Sequence, residues 1–202
     1  MGDLIPASPE KRTLYAGFDD SNHIGKVKAE IVVGVFSFFS DDGIVMSHPN
    51  RRKFIETERW LEEGRAYRCT ILTGSQLTDS RGKYNSTNLP FAAPYLVRRY
   101  LASLVSKERQ EVTGIRLYFD GRITDEHVAH LRFSFKDFQD FDVKGFVKKS
   151  RTGKNRKSSK RPVCPEVVYR ADVIANSLFK KLQLGSKVSL DGLIEDPLFV
   201  RI

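Results

Sequence analysis

An α/β domain built on a mixed sheet is predicted by three observations. Segments rich in β-branched and aromatic residues dominate the first third of the chain; strand and helix patterns then alternate; and the strongest amphipathic stripe comes late, after the last long strand pattern. Thr13 to Phe18 and Glu30 to Phe39 read as strands, and the polar connection Asp20 to Lys28 makes them an antiparallel pair. Arg51 to Glu63 carries Phe54, Ile55, Glu58 and Leu61 at helical spacing and stops at Gly64, so a short helix precedes a third strand at Ala66 to Thr73. A turn-rich stretch, Gly74 to Leu89, leads to a helix over Ala93 to Gln110, opened by Pro94 in its first turn. Gly114 to Phe119 is a fourth strand ending at Asp120-Gly121. Thr124 caps a helix that runs to about Arg132, with Asp125 and Glu126 suited to its amino-terminal dipole. Phe141 to Val147 is a fifth strand. Pro165 opens the last helix, Glu166 to Leu182, and Leu198 to Ile202 adds a short terminal strand.

The chain has 202 residues, 40% hydrophobic and 29% charged, and is expected to form a single domain over residues 1–202. Two cysteines, Cys69 and Cys164, exclude an all-cysteine metal site and suit a reducing, cytoplasmic compartment. The longest apolar run, Ile31 to Phe39, is too short to cross a bilayer and is broken by Gly34 and Ser37, so no membrane association is expected. A homo-oligomer is allowed by everything so far.

The charge points to a polyanion. Thirty-four Lys and Arg face 25 Asp and Glu, a net charge of +9. Lys144, Lys148, Lys149, Arg151, Lys154, Arg156, Lys157, Lys160 and Arg161 lie within eighteen residues that hold no acid. Removing these nine leaves 25 bases against 25 acids, so the whole excess sits there. The stretch Ser150 to Ser159 has no large apolar side chain and reads as part of a basic mobile loop over 148–161. Clustered bases of this kind bind a phosphate backbone by releasing counterions, which makes nucleic acid the expected partner, with a solvated loop or a localisation signal as the alternative.

Three carboxylates occur at corresponding places. Asp19 and Asp20 end the first strand, Asp120 ends the fourth, and Asp172 interrupts the apolar stripe of the last helix between Ala171 and Val173. Asp19-Asp20 and Asp120-Gly121 are each explained by a turn alone. Asp172 is harder to explain that way, because an unpaired carboxylate on a docking helix is costly; a salt bridge to Arg170 or a solvent-facing position would be the structural account. Acids converging from separate elements are held apart by a cation, and hard oxygen donors select Mg²⁺ or Mn²⁺. Two such ions about 4 Å apart would activate a water and stabilise the departing oxygen of a phosphodiester. Asn176, one turn after Asp172, is placed to orient it. Phe133, Phe135, Phe138 and Phe141 invite a base-stacking reading, but core packing suits most of them better.

Leu14 to Ser21 (LYAGFDDS) resembles the opening strand of the RNase H-like superfamily, and Ala16-Gly17-Phe18-Asp19-Asp20 is similar to the Ala-Gly-Ile-Asp-Glu of type 2 ribonucleases H. Leu117-Tyr118-Phe119-Asp120-Gly121 resembles the fourth strand of that family, and Arg170-Ala171-Asp172-Val173-Ile174-Ala175 resembles the last-helix motif of type 1 enzymes. The resemblance implies a five-stranded mixed sheet in the order 3-2-1-4-5, with the first three strands antiparallel and helices on its faces. It further implies Asp19, Asp120 and Asp172 as metal ligands, Asp20 as a further catalytic acid, and two-metal hydrolysis leaving a 5′ phosphate. Small archaeal members of the superfamily act as exonucleases on single strands, so a 3′–5′ exonuclease is the implied activity. The sequence departs from ribonuclease H proper: Ser21-Asn22-His23 replaces the junction-sensing Gly-Arg-Gly of type 2 enzymes, and the helix after the third strand opens without a Glu. The competing expectation is a non-catalytic nucleic-acid-binding module or subunit of the same fold. A metal-dependent enzyme on small phosphorylated substrates ranks last, since it leaves the basic loop without a purpose.

Overall fold

The structure is a computed structural model that describes residues 11–21, 29–40, 44–45, 51–73, 88–146, 163–183 and 198–200. The long strands are β1 (Arg12–Asp20), β2 (Ala29–Ser37), β4 (Ala66–Thr73), β5 (Val112–Asp120) and β6 (Asp140–Phe146). Two short ones, β3 (Ile44–Val45) and β7 (Val163–Cys164), pair with each other. The helices are α1 (Arg51–Glu62), α2 (Asn88–Ser103), α3 (Ser106–Glu111), α4 (Asp125–Ser134) and α5 (Glu166–Gln183).

The main sheet runs β4-β2-β1-β5-β6, which is the expected order 3-2-1-4-5 among the long strands. β1 is antiparallel to β2, and β2 to β4, while β5 and β6 are parallel to their neighbours. The carboxyl ends of β1, β5 and β6 therefore share one end of the sheet, where ligands gather in sheets of this kind.

Strand alternation divides the apolar residues between two faces. Leu14, Ala16 and Phe18 of β1 join Ile115, Leu117 and Phe119 of β5 in a core closed by α2 and α4. Ile31, Val33 and Val35 of β2 face the other way, onto Val167, Ala171 and Ile174 of α5 and onto Trp60 of α1. Gly17 lies on this second face, and a Cβ there would run into the Val167–Val168 backbone. The missing side chain lets α5 lie directly against β1.

Three elements differ from the sequence reading. The helix expected over Ala93 to Gln110 begins at Asn88, because Leu89 and Ala92 are buried with Ala93, Leu96 and Val97 and extend the apolar stripe one turn earlier. Pro94 consequently lies inside α2, and Pro90 takes the first-turn place. The same span breaks after Ser103, whose hydroxyl donates to the Tyr100 carbonyl at 2.6 Å, and Val105 is extended before α3 begins. The terminal segment makes one parallel bridge, Phe199 to Cys69, with Val200 N–H donating to the Cys69 carbonyl at 2.8 Å. β3 and β7 had no forecast, since two residues are too few to show a period. Among the described residues no helix is long and apolar enough to cross a membrane.

Candidate active site

β1 and β5 run parallel and in register up to Phe18 and Phe119, and both strands continue by one residue to the aspartates. Phe18 and Phe119 share the α2 face, where their rings stack at 4.9 Å. Alternation turns Asp19 and Asp120 to the opposite face, the one α5 covers. Neighbouring strands are spaced about 4.8 Å apart, so the backbone holds these two acids side by side. Asp19 is 3% exposed and is fixed by the Asp20 N–H, which donates to its Oδ1 at 2.8 Å. Asp120 lies opposite Phe146 of β6 and is followed by Gly121, whose φ of 118° ends the strand in a conformation that other residues rarely adopt.

Asp172 comes from α5 and is 8% exposed, which removes the solvent-facing alternative. Arg170 donates to Glu166 at 2.7 Å and to the Thr57 hydroxyl at 3.0 Å, an attachment that ties α5 to α1. Asn176 Nδ2 donates to both Asp172 Oδ1, at 2.7 Å, and the Asp172 carbonyl, at 2.8 Å, which is the orienting role expected of it. Asp19, Asp120 and Asp172 thus belong to one face of the sheet and the helix laid over it.

Asp20 alternates to the other face, with Phe18 and Val32, and is also buried. Sequence reading missed a companion there. Glu30 of β2 shares that face with Val32, is 2% exposed, and begins an otherwise apolar run; that isolated acid was its only signal. Ser21 locks the strand ends: its N–H donates to the Ile31 carbonyl at 3.0 Å, and its hydroxyl accepts from the Ile31 N–H at 3.1 Å.

The donor chemistry, three carboxylates on one face with two of them buried, suits a hard divalent cation. Among the described residues, however, no group of three or more His, Cys, Asp or Glu side chains is drawn close enough to hold a metal ion. The fold aligns the acids without closing them into a cage. The basic segment 148–161, with Lys148, Lys149, Arg151, Lys154, Arg156, Lys157, Lys160 and Arg161, lies outside the described residues, as does His23. The described residues on either side of that segment are Phe146 and Val163. The chain leaves β6 at Phe146, the registered neighbour of Asp120, and returns at β7, one residue before the helix that carries Asp172.

Of the four phenylalanines, most of them expected in the core, Phe135 is buried, Phe138 and Phe141 pack against the same cluster, and Phe133 is 75% exposed. Arg52 and Lys53 pair with Glu56, and these cations lower the Glu56 carboxyl below its ordinary range, Lys53 contributing most.

No protein-family model matches this chain, and no curated protein matches it. Among solved structures, that of the PCNA:RNase HII complex from Archaeoglobus fulgidus is similar, with a TM-score of 0.38 and 14% identity over 90% of this chain and 77% of that one.

Proposed function

We propose that the protein is a metal-dependent nuclease that hydrolyses phosphodiester bonds and works as a 3′–5′ exonuclease on single strands. The observation that supports it most is that Asp19 and Asp120 follow the registered pair Phe18–Phe119 at the carboxyl ends of adjacent parallel strands, on the face packed by the helix that carries Asp172. Neighbouring carboxylates repel, and a cation bound between them turns that repulsion into attraction. Asp19, Asp120 and Asp172 would hold Mg²⁺ or Mn²⁺, with Asn176 keeping the Asp172 carboxylate in place. When bound, paired ions of this kind supply an activated water and neutralise charge on the departing oxygen. The protein's own share is to hold the acids on a rigid sheet edge and to bring the phosphate backbone to them through the basic segment joining β6 to α5.

The absence of a closed three-acid cluster among the described residues favours a second reading, a nucleic-acid-binding module without catalysis. Degradation of end-labelled single-stranded and duplex DNA and RNA with Mn²⁺, Mg²⁺ or EDTA separates the two. We expect metal-dependent shortening from the 3′ end, reduced at least about 100-fold in Asp120→Asn while oligonucleotide binding persists. Salt-sensitive binding with no cleavage under any metal would establish the binding module instead.

A further inference from the structure

On the face that carries Asp19 and Asp120, α5 lies over β1 and β2 and reaches β5 only at its margin. The rest of that face, on β5 and β6, holds three registered pairs: Arg116 with Asp142, Tyr118 with Lys144, and Asp120 with Phe146. Arg116 forms a two-pronged ion pair with Asp140, at 2.8 and 2.6 Å, and the carboxylate raises the guanidinium above its ordinary value. The Lys144 side chain is 59% exposed and meets Asp142 at 3.2 Å, an exposed pair of little strength that a phosphate can displace. The Tyr118 and Phe146 rings lie 6.0 Å apart, tilted by 51°, and Tyr118 leans on the core beneath α5 while Phe146 stands at the outer strand. Two half-buried aromatic rings and a lysine therefore adjoin Asp120 on a strip of sheet beyond the reach of α5, and in sequence the basic segment 148–161 begins two residues after Phe146.

We infer that this strip is a stacking platform for single-stranded nucleic acid: Phe146, backed by Tyr118, takes the base of the nucleotide next to the acids, and Lys144 takes its phosphate. The inference deepens the nuclease reading by naming what selects a single strand. A ring can stack only on a base that has left its own helix, so the platform accepts single-stranded ends and gives duplex nothing. Base-to-aromatic stacking tolerates any base, which suits an enzyme that degrades a strand irrespective of sequence. The lysine adds a salt-sensitive contact without sequence content.

Binding of fluorescein-labelled oligo-dT, oligo-rU and a duplex of equal length, measured by anisotropy in EDTA, tests it. Phe146→Ala is expected to weaken single-strand binding about tenfold and leave duplex binding unchanged, with Phe146→Tyr restoring the single-strand affinity. Lys144→Gln, at an exposed position that cannot unfold the chain, is expected to reduce the salt slope by about one. Equal losses on single strand and duplex, or no loss in Phe146→Ala, would overturn the platform. If the wild type cleaves and Phe146→Ala binds and cleaves like it, the platform falls and the nuclease reading stands. A wild type that never cleaves, with a single-strand-specific loss in Phe146→Ala, keeps the platform and removes the nuclease reading.

Discussion

The two faces of the sheet are built to different standards of closure. The α2 side is shut, with Leu14, Ala16 and Phe18 of β1 and Ile115, Leu117 and Phe119 of β5 buried in one cluster with Leu96 of α2 and Leu131 of α4, and Phe36 stacked on Tyr100 at 4.5 Å. The α5 side is apolar over β4, β2 and β1 and becomes mixed across β5 and β6, where Arg116, Asp142 and Lys144 accompany the Tyr118 and Phe146 rings. Asp19 and Asp120 stand where those two halves meet. One face is closed by packing, and the other gives up part of its burial, which on the proposed nuclease reading leaves the sheet end to a ligand.

The comparison can be broken hardest on the closed face. Phe36→Ala removes a ring from a packed core and is expected to cost about 3–5 kcal/mol of stability by denaturant unfolding, while cleavage per folded molecule stays unchanged. A drop in specific activity larger than the folded fraction explains would show that the faces are coupled. On the α5 face, Gly17→Ala forces the Val167–Val168 backbone away from β1. The expected cost is smaller, about 1–3 kcal/mol, but on the proposed nuclease reading metal-dependent cleavage falls with it, because the same shift displaces the helix that carries Asp172 relative to the strand that carries Asp19. Full activity in a destabilised Gly17→Ala would detach Asp172 from the site. The smallest effect concerns pH. Burial raises the Tyr100 phenol above its ordinary value near 10, opposed by Arg68. A group whose proton is held more tightly in the folded state contributes stability that is present below about pH 10 and is lost as pH rises through the raised value. Tyr100→Phe is therefore expected to flatten the alkaline limb of a melting-temperature profile and leave cleavage at neutral pH alone.

Much of this architecture was legible in the residues. The apolar period placed α5 within a residue of its observed end, and Asp120-Gly121 marked the strand end that the positive φ of Gly121 confirms. The break of the predicted long helix at Leu104 was not legible, because Leu101, Leu104 and Val105 continue a helical pattern and the interruption comes from a Ser103 side chain competing for the Tyr100 carbonyl. Glu30 was passed over because a single acid in an apolar run has no sequence partner; only the sheet brings it to the end where Asp20 lies.

The sequence by itself determined the five long strands and the general course of the helices, where the positive charge is concentrated, and that acids end two strands and interrupt the last helix. Those properties are local: they depend on side-chain period, turn chemistry and composition within one segment. Only the tertiary structure decided which acids share a face. Asp19 and Asp20 are adjacent in sequence and part to opposite sides of the sheet, whereas Asp19 and Asp120 are about a hundred residues apart and come to neighbouring strand ends because β1 and β5 pair in parallel. The period of two in a strand makes direction depend on register, and register is set by the partner strand.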